Sequence, residues 1–541
     1  MVPHSEEQKV AVEDGHNPKV ITVEESAAFT GDSGQAVSPD HGAINVLLVL
    51  SCLAFGAASF LFGYDDKVIS PVAATEYFVK KFQGHPNPAS GKFALTARNQ
   101  DLVFSVPLVG SVVGGLATTP LSSRFGRKWT LLGSYCFSFL GSFLQLFAPN
   151  LATFVIGRFA TDFVIGIAHT VAPLYLCEVV PTSMRGRGVS IYNILNLLSG
   201  VVSTIIVNST HNINDSRSYQ IPLAVQAGLP MLLLLLSLPI PESPQWLVSK
   251  GRLEEAKHNL RRLRGYATWQ LEDEFRVIVL CEENERELTA NVQFWHLFNR
   301  ENLRRTITAG SFYSLNQISG VILSTTYTTV FLSQLGIGNA FVFTVIASCC
   351  TLAGTIFSPM VIDIYGRRPT ALCGMVILFV IDIVAGALAF FPNNSNALLT
   401  IAALGFIFNF FWATSFLSIS VLLPPEIATP KLRSHTMAYT VACAQTTAVI
   451  TTFAVPQLTD ASAAGLGAKT YLVFAGCMAC VIVWSFFLMP ETKGRTYAEI
   501  DEMYDKKVPM WRWSSFETLT QAKQVTLMTE KLVGDSAVIA M

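Results

Sequence analysis

Asp363-Ile364-Tyr365-Gly366-Arg367-Arg368 decides the architecture, because the chain carries the same element twice. Its counterpart, Arg124-Phe125-Gly126-Arg127-Lys128, also sits between two long apolar runs. Those runs are 101–121 and 129–147 around the first copy, and 338–361 and 370–391 around the second. Further out lie 45–64, 152–176, 188–208 and 221–241 on one side, and 306–333, 398–423, 434–455 and 469–489 on the other. A second element repeats as well. Glu178, Pro181 and Arg185-Gly186 follow the fourth run, and Glu426, Pro430 and Arg433 follow the tenth. Each run is long enough to cross a bilayer, which takes roughly 20 residues. In hydrocarbon the backbone amides must be bonded within their own segment, so the runs are helices. The reading is an all-α membrane protein of about twelve transmembrane helices in two pseudo-symmetric six-helix halves, with a site between the halves.

Composition agrees. Of 541 residues 51% are hydrophobic and 14% charged, against about 25% charged in a soluble domain. A net charge of −1 gives no reason to expect a nucleic-acid partner. Most of the ten cysteines lie inside apolar runs, and the CxxC spacing of Cys477 and Cys480 falls mid-span, where packing is the simpler role. No metal cluster, cofactor loop or nucleophile–base pair is evident, so no metal, cofactor or enzymatic activity is expected. The expected organisation is a disordered cytoplasmic tail (1–44), a six-helix bundle (45–241), a linker of short amphipathic helices (242–304), a second bundle (305–489) and a cytoplasmic tail (490–541). The first segment lacks the basic-then-apolar pattern of a cleaved signal.

Arg124, Arg127, Lys128, Arg185, Arg187, Arg367, Arg368, Lys431 and Arg433 fall in alternate loops, on the side of both termini, which the positive-inside rule makes cytoplasmic. The sequons at Asn208, Asn214 and Asn393 then lie outside and are candidate glycosylation sites. The shared spacing of Gly with Arg, Asp and Glu goes beyond positive anchoring. Gly permits a tight turn, and Arg presents a planar fork to carboxylates or carbonyls. Arg124, Gly126, Arg127, Glu178, Arg185, Asp363, Gly366, Arg367, Arg368, Glu426 and Arg433 are therefore read as gating residues that lock one access state.

Further motifs are more specific. They are Phe62-Gly63-Tyr64-Asp65, Gly157-Arg158, Pro241-Glu242-Ser243-Pro244-Gln245-Trp246-Leu247 and Pro490-Glu491-Thr492-Lys493-Gly494-Arg495. In this order they resemble the sugar porters of the major facilitator superfamily over nearly the whole chain beyond the first tail. Pro424-Pro425-Glu426-Ile427 with Lys431-Leu432-Arg433, and the run Gly494 to Glu502, look closest to the fungal maltose/α-glucoside proton symporters. The resemblance implies the major facilitator fold, a monomer in the plasma membrane, and a small-molecule substrate (a sugar, glucoside or related metabolite) moved with protons.

Ionisable groups inside a span are functional candidates by default. Asp65 ends the first run, and Arg158, Asp162 and His169 share a face of the fourth. The resemblance implies that Asp65 takes up the proton and Arg158 tunes it. Asp162 stands where that family has glycine; it either pairs with Arg158 or adds a second proton site. His169 is expected to pack through a hydrogen bond. Asp382 has no evident partner, and is expected to snorkel or to pair.

The resemblance places substrate contacts at Asn193, Asn316, Gln317, Tyr327, Gln445 and, as a substitute aromatic, Trp412. The pattern is incomplete. The family asparagine is Ile322, one tyrosine is Thr326, the Gly-Pro hinge is Leu417-Ser418, and an aromatic platform is Val421. Each missing hydrogen bond costs about 1–3 kcal/mol, which argues for a larger or less polar substrate than a plain hexose. The leading expectation is proton-coupled uptake of a sugar-like solute by alternating access. The alternatives are uptake or efflux of a less polar metabolite, and a non-transporting nutrient sensor.

Overall fold

The apolar runs become helices because nothing else closes their backbone hydrogen bonds away from water. The computed structural model describes residues 10–12, 19–21, 46–88, 91, 93–180, 185–264, 268–289, 293–336, 339–391, 394–495, 497–516 and 518. The chain divides into two units, 1–44 and 45–541. In the first, the described residues are two short strands, β1 (Val10–Val12) and β2 (Lys19–Ile21), paired antiparallel.

The second unit holds twelve helical spans among the described residues. Span 1 is Val46–Ala74, with a turn at Ala57. Spans 2 to 6 are Ala97–Phe125, Arg127–Leu146, Leu151–Val179, Arg185–Thr210 and Arg217–Ser237. Three further helices follow at Pro244–Ser249, Leu253–Leu263 and Thr268–Thr289. Span 7 is in three pieces, Leu303–Ile318, Val321–Thr325 and Thr328–Gln334. Spans 8 and 9 are Ala340–Tyr365 and Arg367–Leu388; span 10 is Ser395–Ile427; spans 11 and 12 are Arg433–Thr459 and Thr470–Leu488.

Ten of the described helices are individually long and apolar enough to cross a membrane. The other two spans are span 3, which begins Arg127-Lys128, and span 7, whose longest piece has 16 residues. The expectation of one continuous helix over 306–333 is thus corrected. Gly320 takes φ +83, a left-handed conformation that interrupts the helix there.

Close packing sets the site. A Cβ added at Gly114 would collide with the Phe163 carbonyl, and one at Gly166 with the Ser111 carbonyl, so spans 2 and 4 meet backbone to backbone. Spans 1 and 3 also pack on span 4. Together they bury its inward face, where Arg158 and Asp162 are each 4% exposed. Polar residues within spans turn to their own backbone; Thr118, Ser134 and Thr344 donate to carbonyls four residues earlier at 2.7–2.9 Å. Large apolar side chains such as Leu116, Ile156 and Met360 are more than 60% exposed and form an outer surface suited to lipid.

An even number of spans brings the chain in and out at one end of the bundle, the terminal end, opposite the distal end. The two repeated loops lie at the terminal end, and their glycines have the same conformation, φ +94 at Gly126 and +95 at Gly366. After span 12, Arg305 lies 4.4 Å from the Tyr504 ring and pairs with Asp501, and Arg495 donates to the Trp513 and Phe516 carbonyls at 2.8 Å. This ties the segment through Phe516 to the second bundle.

Gly126→Ala and Gly366→Ala should each lower stability by about 1–3 kcal/mol, since each demands a left-handed residue and would place a Cβ against a glutamate carboxylate. Thermal unfolding of the purified protein checks this. Equal melting temperatures for wild type and both variants would contradict it.

Candidate functional site

The repeated loops build one device twice. In the first half Arg127 donates through Nε and Nη2 to Glu178, with the shortest contact 2.7 Å. Glu178 also accepts from Ser243. Glu242 accepts from the backbone N–H groups of Arg127 and Lys128, at the start of span 3. In the second half Arg367 pairs with Glu426 at 3.0 Å, Glu426 accepts from Thr492, and Glu491 accepts from the N–H groups of Arg367 and Arg368. Lys128 and Arg368 cap the ends of spans 6 and 12 through the Leu238, Met489 and Phe486 carbonyls. Each carboxylate sits on free N–H groups at a helix start, the end of the dipole that favours negative charge. Burial nevertheless pushes the Glu242 carboxyl up from its ordinary value, with the three N–H groups it accepts pulling the other way.

Glu242 and Glu491 were not among the gating residues read from the sequence. Their signal was available, as Pro-Glu pairs standing just after spans 6 and 12. Arg124 is exposed beside the Phe125 ring, and Asp363 is exposed. Arg433 opens span 11. The side chain of Arg185 lies outside the described residues.

The distal end is closed, and, Tyr327 apart, by groups the sequence reading did not single out. Asp460, 1% exposed at the end of span 11, accepts from Gln100 at 3.0 Å, Asn87 and Gln334 at 3.2 Å, and the Ser462 N–H at 2.7 Å. Asn87 and Gln100 belong to the first half, so this ring of amides joins the halves. Gln457 donates to Asp101 at 2.6 Å, the Phe104 and Tyr327 rings are 4.5 Å apart, and His211 stacks on Phe341 at 4.1 Å. At the terminal end, by contrast, Arg127–Glu178 and Arg367–Glu426 each stay within one half.

Deep in the first half the charged residues of spans 1 and 4 meet. Arg158 Nη1 lies 3.1 Å from Asp65 Oδ2, and Arg158 Nη2 lies 3.8 Å from Asp162 Oδ2. Asp65, 3% exposed, also accepts from Gln226 of span 6. Gln226 was missed, although it is a lone amide in the run Pro222–Leu236. Two carboxylates share one guanidinium. Electrical neutrality in a water-poor site is therefore met when the cluster binds one proton. His169 lies 3.3 Å from the Tyr192 hydroxyl and edge-on to Phe62. Asp382, expected to snorkel or pair, does neither. It is fully buried, and neither oxygen has a hydrogen-bond partner among the described residues.

The candidate substrate residues separate into two groups. Asn316 is fully buried; its Oδ1 accepts from Trp412 Nε1 at 2.7 Å and its Nδ2 donates to Ser420 at 3.3 Å. Tyr327 is 1% exposed and donates to the Thr452 carbonyl. Asn316, Trp412 and Ser420 are thus committed to one another, and Tyr327 to the backbone of span 11. Gln317 and Gln445 are half-buried and Asn193 is exposed, with no side-chain hydrogen bond to another described residue. Span 10 adds a feature the sequence did not announce, a π-helical turn over Trp412–Leu417, after which the Ser418 hydroxyl donates to the Ala413 carbonyl. Of the sequons, Asn208 lies in the last turn of span 5, Asn214 is exposed, and Asn393 lies outside the described residues.

Two six-span halves, closed at one end and carrying a buried charge cluster, define a polytopic membrane protein of the carrier type. The model of the family "Sugar (and other) transporter" matches residues 50–504, and the chain belongs to that family. Among curated relatives, the "Major facilitator-type transporter ecdD" of Aspergillus rugulosus is 29% identical, with 85% of this chain and 87% of that protein covered. The "General alpha-glucoside permease" of Saccharomyces cerevisiae is 29% identical over 84% of this chain and 74% of that protein. Among solved structures, the inward-open xylose transporter XylE of E. coli has a TM-score of 0.70 at 18% identity, covering 84% of this chain and 99% of that one. At that identity the likeness speaks for the fold, and it agrees with the all-α two-half architecture.

Replacing Asp460 by Ala removes the shared acceptor of three side-chain amides. Amide hydrogen exchange over 97–103 and 455–460 should then rise about tenfold, the response to roughly 1.4 kcal/mol of lost closure. Exchange indistinguishable from wild type would mean that the ring does not hold the distal end.

Proposed function

We propose that the protein moves a sugar or sugar-like small solute across its membrane by alternating access, in symport with protons. The observation that carries the coupling is the buried Asp65–Arg158–Asp162 cluster, two carboxylates on one guanidinium. While Arg158 holds Asp65 the carboxylate stays charged; when a shift of span 1 against span 4 parts them, it takes a proton. Proton uptake is thereby tied to conformation, which is what coupling requires. Membership in the sugar transporter family, and relatives named for glucose and α-glucosides, support the cargo class.

The basic residues of the terminal-end loops make that end cytoplasmic, with both termini inside and the Asp460 ring facing outward. The described conformation then faces inward. In the outward-facing state the terminal ends of the two halves come together, and the Arg127–Glu178 and Arg367–Glu426 clamps hold the surfaces that meet. The protein works as a monomer in the plasma membrane, and Asn214 is the glycosylation site best placed for access.

A second reading keeps the mechanism and changes the cargo to a less polar metabolite. The commitment of Asn316 to Trp412 and Ser420, beside buried Ile322, favours it. It leaves Asn193, Gln317 and Gln445 as the amides free for a substrate.

Uptake of labelled maltose and glucose in yeast cells lacking their own hexose and glucoside carriers separates these readings. Concentrative maltose uptake should collapse with an uncoupler and fall about tenfold or more in Asp65→Asn, while exchange of maltose across the membrane at equal pH persists. Uptake indifferent to both treatments overturns the coupling. Absence of sugar uptake by protein at the cell surface favours the second cargo.

A further inference from the structure

Asp382 is used neither by the coupling cluster nor by the gates. It sits in the last third of span 9, at 0% exposure, with both carboxyl oxygens unpartnered among the described residues. Its Oδ2 is 3.6 Å from the point where a Cβ on Gly320 would stand. Gly320 is the left-handed residue at which span 7 breaks, with its other neighbour the Phe474 ring of span 12. Span 9 is therefore not a bystander. Its one acidic side chain is aimed at the joint of the span most divided in the fold.

An ionised carboxylate without a partner in hydrocarbon is far costlier than a neutral one, so the group is compatible with this environment only when it carries its proton. Leucine would fill the same space without that requirement. A carboxyl kept where it has no partner is explained if another conformation supplies one, and the neighbour able to change shape is span 7. Of the other ionisable groups on elements packed against span 9, Tyr471 of span 12 is a buried phenol within electrostatic reach of Asp382. Glu426 is held by Arg367, Lys469 lies over the Phe390 ring, Asp363 and Tyr365 are exposed near the terminal end, and Cys349, Cys350, Cys477 and Cys480 are free cysteines. The segment Ser319–Ser324 and the π turn of span 10 carry no ionisable side chain.

We propose that Asp382 is a second proton-binding site, in the second half, which holds its proton while the distal end is closed and yields it to water when span 7 changes shape at Gly320. It rests on the chain being an alternating-access carrier and not on the Asp65 cluster. The sign follows. The proton-bearing form belongs to the distal-closed state, so rising pH draws the protein toward the distal-open one.

The test uses the purified full-length protein and needs no substrate. Infrared difference spectra of wild type against Asp382→Asn should show loss of one protonated carboxyl band of the unbonded, high-frequency kind. Protection factors over 97–103 and 455–460, which remove the base-catalysed rise of intrinsic exchange, should fall about tenfold in wild type as pH rises. In Asp382→Asn and Asp382→Leu these segments should stay protected, with melting temperatures at or above wild type. Asp65→Asn should leave the infrared band in place. A band that survives in Asp382→Asn, or exchange curves that superimpose on wild type, overturns the proposal. Loss of proton-driven uptake in Asp65→Asn alongside such curves would overturn this proposal while leaving the Asp65 coupling intact.

Discussion

Hydrocarbon supplies no hydrogen bonds, so each polar group that enters the membrane must find its partner within the protein. Most of this structure follows from how that demand is met. Threonines and serines return to their own helices. The carboxylates of Glu242 and Glu491 sit on backbone N–H groups at the starts of spans 3 and 9. Arg158 is paired with one carboxylate each from spans 1 and 4, and Asp460 accepts from amides of both halves. Wherever the demand is met by a group from another span, the two spans are tied in one conformation, and the tie must break for the molecule to change shape.

The ties are placed unevenly. At the distal end they cross between the halves, whereas the terminal-end clamps described here stay inside each half. Rigid-body rocking of the halves would exchange this asymmetry for its opposite while leaving each clamp whole. Span 4 connects the two tasks. It carries Arg158 and Asp162 in its first half and Glu178 in its last turn, about 24–30 Å away at the rise of an α-helix. A shift of that helix is felt at the charge cluster and at the gate together.

How much of this was legible depended on whether a residue repeated. The loops around Gly126 and Gly366 were readable because a duplicated pattern is improbable by accident and the chemistry of each residue type is plain. The Asp65–Arg158 contact was readable because charge in an apolar run is conspicuous. Asn87, Gln100 and Asp460 were not, since three neutral or acidic residues in unpatterned segments far apart in sequence give no sign of meeting. Asn316 was legible as polar and central, but whether its amide faced a substrate or another side chain depended on Trp412 and Ser420. The break in span 7 was foreshadowed only by a glycine, and a glycine inside a span is as often a packing surface, as Gly114 and Gly166 illustrate.

The π turn of span 10 bears on that last contact. Trp412 and Ser420 are eight positions apart, which on an unbroken α-helix of 3.6 residues per turn would leave them roughly 80° out of line. A single wide turn absorbs about one residue, and the effective separation becomes close to two whole turns. Both side chains then reach the same amide of Asn316. The helix has in effect gained a residue without gaining a turn, so positions after Leu417 present a different azimuth from those an uninterrupted count assigns. A residue-by-residue alignment of this span to straight-helix relatives would name the wrong wall of the cavity from that point on.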